Sequence, residues 1–223
     1  MTKTVLLTTA AVLALSVGGV ASAATPSLSS GHHAAKSLPP HSAAAVLYDQ
    51  NNNDGGTGVT SQNFESSFDV YDNQGADDFT VPAGTTWKIT EVDVTGVYYN
   101  GSGPAVSENV TFYKNNHGLP GAIVAEQDNV AGADSFGSFA ISIPKTKLKG
   151  GTKGKTYFVS VQVNMDFTNG GQWGWEDRSV QSGNGAAWQN PGGGFGTSCS
   201  TWGTMESCLG FGPDLMFTLR GKS

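Results

Sequence analysis

Charged side chains are scarce in this sequence. Asp, Glu, Lys and Arg make up 13% of its 223 residues, about half the share of an average globular protein. The formal net charge is −6, whereas a nucleic-acid-binding surface needs a strongly basic face. This composition argues against nucleic acid as a partner. The 31 glycines, about twice the usual share, favour a β protein with many turns and a neutral polar surface.

Helical periodicity and catalytic motifs are also missing. No window repeats apolar residues with the spacing of an amphipathic helix. The sequence has no G-x-S-x-G nucleophile elbow and no H-E-x-x-H zinc motif. Adjacent Glu176 and Asp177 would point to opposite faces of a strand, which does not suit glycoside cleavage by paired carboxylates. A polysaccharide hydrolase or lyase is therefore the least favoured function.

Cysteine occurs only twice, at Cys199 and Cys208. An oxidising compartment should pair these two residues, and their spacing does not fit a redox or zinc motif. The chain-entropy model gives such a small closed loop about 2–3 kcal/mol of stabilisation. We therefore predict one disulfide in an exported protein.

The N-terminal residues divide into two segments before the main domain. Residues 1–23 have a basic start, an apolar stretch and the cleavage pattern Ala21-Ser22-Ala23, which predicts a secretory signal peptide. Residues 24–44 are small, polar and proline-bearing, which favours a flexible linker. The linker's His32, His33 and His41 could instead bind a metal weakly. No later apolar run is long enough for a membrane span, so we expect a secreted protein, extracellular or periplasmic.

Residues 45–221 predict one all-β domain, an antiparallel β-sandwich or jelly roll with a disulfide-closed, glycine-rich loop. In the segment Trp87–Tyr99 the apolar residues alternate, but they move from odd to even positions part-way along. A β-bulge near Thr90 and Glu91 would let the apolar residues on both sides of it face the same core. The polar stretch NNNDGGTG (Asn51–Gly58) and the basic run PKTKLKGGTKGK (Pro144–Lys155) are predicted as loops. The predicted strands are Ala45–Asp49, Asp77–Val81, Trp87–Tyr99, Asn109–Lys114, Ile123–Gln127, Phe139–Ile143, Tyr157–Val163, Gln172–Asp177 and Leu215–Leu219.

Several sequence segments, taken together, resemble those of a known protein family. They are LYDQ (Leu47–Gln50), ADDFTVPAG (Ala76–Gly84), VTFYKNNHGLPG (Val110–Gly121), WGWEDR, AAWQNPGGGFGTSC and PDLMFTLRG (Pro213–Gly221). The chain is similar to β-sandwich modules of secreted and surface proteins of Gram-negative bacteria, some of which carry a C-terminal sorting tail. The resemblance implies a sandwich fold and a location outside the cytoplasm. It carries over no catalytic residues, and this sequence shows no sorting tail.

Tryptophans dominate the candidate ligand-binding segment. On a strand, Trp173, Trp175 and Asp177 would share one face, with Trp188 and Gln189 in the same glycine-rich stretch. Aromatic rings beside amide and carboxylate groups suit a sugar, because the ring stacks on C–H groups while polar groups orient the hydroxyls. These residues predict a shallow glycan-binding face. The alternative is that the rings fill the core.

Calcium is the second candidate ligand. Asp49, Asn51, Asn53 and Asp54 are spaced like the oxygen ligands of a calcium loop, although Asp54 stands where the EF-hand needs glycine. A solvated turn closed by these side chains is the alternative. The sequence thus leaves two main functions open: a non-catalytic glycan-binding or adhesive module at the cell exterior, and a structural envelope or matrix protein without a ligand.

Overall fold

The computed structural model describes residues 24–34 and 37–223, so the predicted signal peptide lies outside the described residues. Short helices are α1 (Phe167–Gly170) and α2 (Met205–Leu209), and Ser66–Tyr71 forms a 3-10 turn. The strands are β1 (Ser29–His32), β2 (Ala45–Asp49), β3 (Asp54–Thr60), β4 (Gln62–Asn63), β5 (Gln74–Val81), β6 (Thr86–Val94), β7 (Gly96–Tyr99), β8 (Ser107–Asn116), β9 (Leu119–Val130), β10 (Ala133–Ser135), β11 (Ser138–Lys149), β12 (Lys155–Asn164), β13 (Gln172–Arg178), β14 (Ala187–Gln189), β15 (Gly203–Thr204), β16 (Asp214–Leu215) and β17 (Phe217–Lys222).

The strands form three mainly antiparallel sheets. Sheet A has the order β1-β3-β13-β16, with β7 also paired to β13. Sheet B has the order β10-β11-β6-β17-β2, and sheet C has the order β15-β14-β5-β12-β8-β9, with β4 paired to β12. The all-β, antiparallel, sandwich-like prediction is confirmed. The jelly-roll form of that prediction is not confirmed.

The core lies between sheets B and C, with sheet A adding its tryptophans at one side. Phe79 of β5 stacks on Trp87 of β6, with ring centroids 6.0 Å apart, and lies 6.5 Å from the ring of Phe217 on β17. Trp175 of β13 lies 6.3 Å from the same Phe217 ring. The alternating residues of β12 supply the facing layer, because Tyr157, Val159, Val161 and Val163 are all buried in this cluster.

The predicted bulge in β6 is confirmed. On the β17 side, Glu91 pairs with Arg220 while Ile89 pairs with the next residue, Gly221, so Thr90 is the extra residue. Trp87 and Ile89 before the bulge, and Val92 and Val94 after it, are all buried. One inserted residue therefore lets the apolar side chains before and after the bulge face the same core, although they occupy odd and even positions respectively.

Three predicted irregular segments contain strands, and one of them is the basic run that begins at Pro144, where β11 continues to Lys149. Ser29–His32 of the expected linker forms β1 and pairs with β3, with Ser29 opposite Val59. The expected polar loop after Asn51 contains β3. Its glycines are required by close packing: a Cβ at Gly55 would lie 2.2 Å from Oδ1 of Asp177, and one at Gly58 would lie 2.6 Å from a methyl group of Val97.

The predicted disulfide is confirmed. Cys199 and Cys208 are joined with an S–S distance of 2.04 Å, and no free cysteine occurs in the part of the chain that the structure describes. The bridge packs against Gly203 of β15, where a Cβ would lie 2.8 and 2.9 Å from the two sulfur atoms. Neither of the two helices in the described ranges is long and apolar enough to cross a membrane.

Candidate functional site

The three indole rings of the predicted binding face lie in the core. Trp173, Trp175 and Trp188 each have a relative exposure of 0%. Their N–H groups donate to backbone carbonyl oxygens at 2.6, 2.7 and 3.0 Å, and the acceptors are Gly137, Met216 and Thr60. A buried indole with its N–H satisfied is a packing residue. The prediction that these rings form an exposed face is therefore wrong. Alternation places residues on one face but does not decide which face meets water.

The polar partners predicted beside these rings also have internal contacts. Asp177 is buried, and its Oδ1 accepts a hydrogen bond from the backbone N–H of Thr57 at 3.0 Å. The half-buried Gln189 donates from its amide to Oε1 of Gln74 at 2.9 Å. In the glycine-rich loop, a Cβ at Gly192 would lie 2.6 Å from the backbone of Val70. Packing against the 3-10 turn thus explains that glycine without a ligand.

Glu176 forms a buried polar cluster with the N-terminal segment. Its Oε2 lies 2.8 Å from Nε2 of His33. Burial is the main cause that raises the pKa of Glu176 to about 9, and the hydrogen bond and charge of Asp54 and the charge of Asp177 raise it further. Nδ1 of His33 lies 3.1 Å from the Gly31 carbonyl oxygen and 3.1 Å from the Ser30 hydroxyl oxygen. The contact between Glu176 and His33 fastens the segment after β1 to β13.

A second buried acidic group joins sheet C to the C-terminal strands. Oδ2 of Asp77 accepts hydrogen bonds from the Gln50 amide at 2.6 Å and from the Leu215 N–H at 2.7 Å. Asp214 lies 3.4 Å from Arg178, and burial raises its pKa to about 6. Neither this pair nor the Glu176 cluster lines the surface clefts described below. These carboxyl groups hold segments together and are not placed to reach a sugar.

The predicted calcium residues close a hydrogen-bonded turn. Oδ1 of Asp49 accepts from the Asn51 N–H at 3.0 Å, and Oδ1 of Asp54 accepts from the Gly56 N–H at 2.7 Å. The side-chain oxygen of Asn51 accepts from the Thr95 hydroxyl at 2.6 Å, while Asn53 adopts a positive φ of 55°. Within residues 24–34 and 37–223, no group of three or more His, Cys, Asp or Glu residues could hold a metal. The contacts are those of Asx turns.

Concave surface occurs at one end of the molecule, which we call the loop end. The loop end consists of the loop Asn100–Val106, the turn Ser135–Gly137 and the segment Met165–Gly170. Three neighbouring clefts of about 200, 230 and 300 Å³ occur there. The long loop runs through all three. It is held close to α1, because the N–H of Gly103 donates to the Gly170 carbonyl at 2.9 Å and a Cβ at Gly101 would lie 2.3 Å from the same oxygen.

Phe136 is the most exposed aromatic side chain of the loop end. Its relative exposure is 77%, and it lines the 200 Å³ cleft with Tyr98, Gly101 and Ser102. The other two clefts add the polar side chains of Asn100, Asp166, Thr168 and Asn169, with half-buried Phe68. An exposed ring beside amide, hydroxyl and carboxyl groups is the arrangement that was expected at the tryptophans.

The backbone at Phe136 makes this exposure unusual. Ser135 pairs with Ser138, so Phe136 and Gly137 form a two-residue hairpin turn with φ values of 56° and 97°. Positive φ at both positions is the type I′ pattern, whose first position prefers Asn, Asp or Gly. Asp134 supports the turn by accepting the Gly137 N–H at 2.8 Å. A bulky, exposed ring at that position satisfies neither the backbone nor the core, and local rules are broken in this way mainly at functional sites.

Comparison of the chain with protein-family models, curated sequences and solved structures finds no match. The resemblance to bacterial surface modules therefore stays a prediction. Sequence reasoning did not identify Phe136, which lies between the predicted strands Ile123–Gln127 and Phe139–Ile143. The signal available there was an aromatic residue in the Ser-Phe-Gly turn between β10 and β11, where the turn alone would favour Asn-Gly.

Proposed function

We propose that this protein is a non-catalytic glycan-binding or adhesive module that acts at the cell exterior through its loop end. The observation that carries the proposal is the exposed ring of Phe136 in a turn position that favours Asn. The three indole rings first expected to bind are core residues and have no part in it. Export belongs to the proposal, supported by the leader-like residues 1–23 and by the Cys199–Cys208 disulfide.

A saccharide fits the chemistry of the loop end. The Phe136 ring can stack on the C–H face of a sugar, while Ser102 and Asn169 offer hydrogen bonds to its hydroxyl groups. Each cleft is small and open, so we expect each to hold about one sugar ring, with modest affinity and broad selectivity. Acidic Asp134 and Asp166 favour a neutral glycan over an anionic one at this end.

A second candidate function is a structural envelope or matrix protein without a ligand. The burial of Trp173, Trp175 and Trp188 favours it, because those residues then serve the core alone. Hydrolysis is not proposed, since Glu176 and Asp77 lie inside the domain with hydrogen-bonding or charged neighbours. Calcium is not proposed either, since the oxygens of Asp49 and Asp54 accept backbone hydrogen bonds.

The test is the variant Phe136→Asn. Asn is a preferred residue at the first position of a type I′ turn, so we expect it to leave the melting temperature unchanged or to raise it. Retention on insoluble neutral polysaccharides in a pull-down should be lost. A matched control is Ile123→Ala, which removes another exposed apolar side chain, on β9. Wild-type retention by Phe136→Asn, or no retention of the wild type on any neutral polysaccharide, would favour the structural function.

A further inference from the structure

Lysine side chains form a row across sheet B, at the other end of the molecule from Phe136. Lys88 of β6 stands opposite Lys147 of β11 on one side and opposite Lys222 of β17 on the other. Residues directly opposite in antiparallel strands project from the same face and lie about 4.5–5.5 Å apart. Lys145 and Lys149 of β11 are exposed beside this row. We call these five residues the lysine row.

The row surrounds a cavity. Lys88, Lys145, Lys147 and Lys222 line a concavity of about 430 Å³, larger than any of the three clefts of the loop end. Its remaining lining includes Gly221, where a Cβ would lie 2.1 Å from the Lys88 carbonyl oxygen. Glycine is therefore required for β17 to approach β6, and it leaves the space between the lysines open.

The ammonium groups of the row have no carboxylate partners in the described part of the chain. The ion pairs found there involve His33, Arg178 and Arg220 and include no lysine. The nearest carboxylates on β6 are already engaged. Asp93 lies 2.6 Å from Arg220, and Glu91 contacts Arg220 and accepts the backbone N–H of Ser42. Like charges directly opposite one another destabilise a sheet. The fold therefore gains nothing from this row, and an external anion would relieve the repulsion.

We propose that the lysine row binds an anionic polysaccharide through its carboxylate or sulfate groups. Successive sugars present successive anions, which can meet lysines on three adjacent strands. Lysine is a flexible point charge, so it suits a repeating polymer better than one precisely held phosphate, for which arginine forks or converging backbone N–H groups would be expected. Nucleic acid is the less favoured polyanion, because the concavity has no aromatic side chain on which a base could stack.

This inference goes beyond the proposed function because the two sites are far apart. Phe136 precedes β11 and Lys147 lies near the end of that strand, a separation of roughly 35 Å along an extended chain. The basic row and the acidic loop end, with Asp134 and Asp166, could also attract two copies of the chain head to tail. The experiment separates these possibilities.

The probe is dextran sulfate immobilised for a binding measurement, with uncharged dextran as the matched surface. We expect the wild type to bind dextran sulfate and not dextran, with an affinity that falls steeply as salt is added. The triple variant Lys88→Gln, Lys147→Gln, Lys222→Gln should lose about tenfold or more in affinity and show a shallower salt dependence. The triple arginine variant at the same positions should retain binding.

Charge elsewhere provides the control. The control is the triple variant Lys114→Gln, Lys153→Gln, Lys155→Gln, which changes the net charge by the same amount. Its lysines lie on β8 and β12 of sheet C and in the turn before β12. This control variant should bind nearly as well as the wild type. The proposal would be overturned if both glutamine variants lost affinity equally, or if the wild type bound dextran sulfate and dextran equally. It would also be overturned if sedimentation showed a salt-sensitive dimer and the monomer did not bind dextran sulfate. Failure here would leave the Phe136 test unaffected.

Discussion

Replacement of Trp175 by alanine measures what the buried tryptophans contribute. The side chain is fully buried, lies 6.4 Å from Trp173 and 6.3 Å from Phe217 by ring centroids, and donates to the Met216 carbonyl at 2.7 Å. Removing a buried Trp costs about 3–5 kcal/mol in transfer and cavity free energy. For a domain of this size each kcal/mol lowers the melting temperature by roughly 2–4 °C, so the expected decrease is roughly 6–20 °C.

Thermal unfolding followed by circular dichroism is the assay. Trp175→Phe is the companion variant, because it keeps most of the volume but leaves the Met216 carbonyl without its indole donor, at a cost of about 1–3 kcal/mol. Phe136→Ala is the exposed-ring control and should change stability by less than about 0.5 kcal/mol. A melting temperature of Trp175→Ala equal to that of the wild type would refute a packing role for Trp175. Loss of glycan binding at full stability would refute it more strongly.

Three further predictions concern pH, the disulfide and calcium. Glu176 has a folded pKa of about 9 against 4.5 for an ordinary carboxyl, so between these values the unfolded chain ionises while the folded one keeps its proton. Stability should therefore fall as pH rises from about 5 to 9, and Glu176→Gln should flatten this slope; a melting temperature that rises over the range would contradict it. Reducing Cys199–Cys208 should remove about 2–3 kcal/mol of stability, and free thiols in the purified protein would refute the bond's presence. Millimolar calcium should not raise the melting temperature above that in chelator, because the oxygens of Asp49 and Asn51 accept internal hydrogen bonds; a clear rise would restore the calcium site.

Strands with clear alternation could be predicted from the sequence, and those without it could not. β12 alternates from Tyr157 to Val163 with the exception of Phe158, and the parity change in β6 predicts a bulge near Thr90. β3 reads as a loop because glycine and asparagine dominate it. Those glycines are selected by tertiary contacts with Asp177 and Val97, which local propensity does not contain. β1 was missed for a related reason, since its pairing with β3 gives the segment no periodicity of its own.

The candidate sites show a similar limit. Parity correctly placed Trp173 and Trp175 on one face of β13, but this central strand is covered on both sides, so all seven of its residues are buried. The basic run of β11 was visible in the sequence as a loop. The basic run becomes part of a lysine row only because strand pairing places Lys88 of β6 beside it and Lys222 of β17 beside Lys88. These three strands are distant along the chain. Pairing register is a tertiary property, and one sequence does not reveal it.

The most direct test of a glycan site at the loop end is a nuclear magnetic resonance titration of the protein with soluble neutral oligosaccharides. We expect shifts in the backbone amide signals of Asn100–Gly103, Ala105, Val106, Phe136 and Met165–Gly170. The indole N–H signals of Trp175 and Trp188 should stay unchanged, because those groups are buried and already donate to backbone carbonyls. Shifts at the indole signals with a silent loop end, or no shifts with any neutral oligosaccharide, would contradict it.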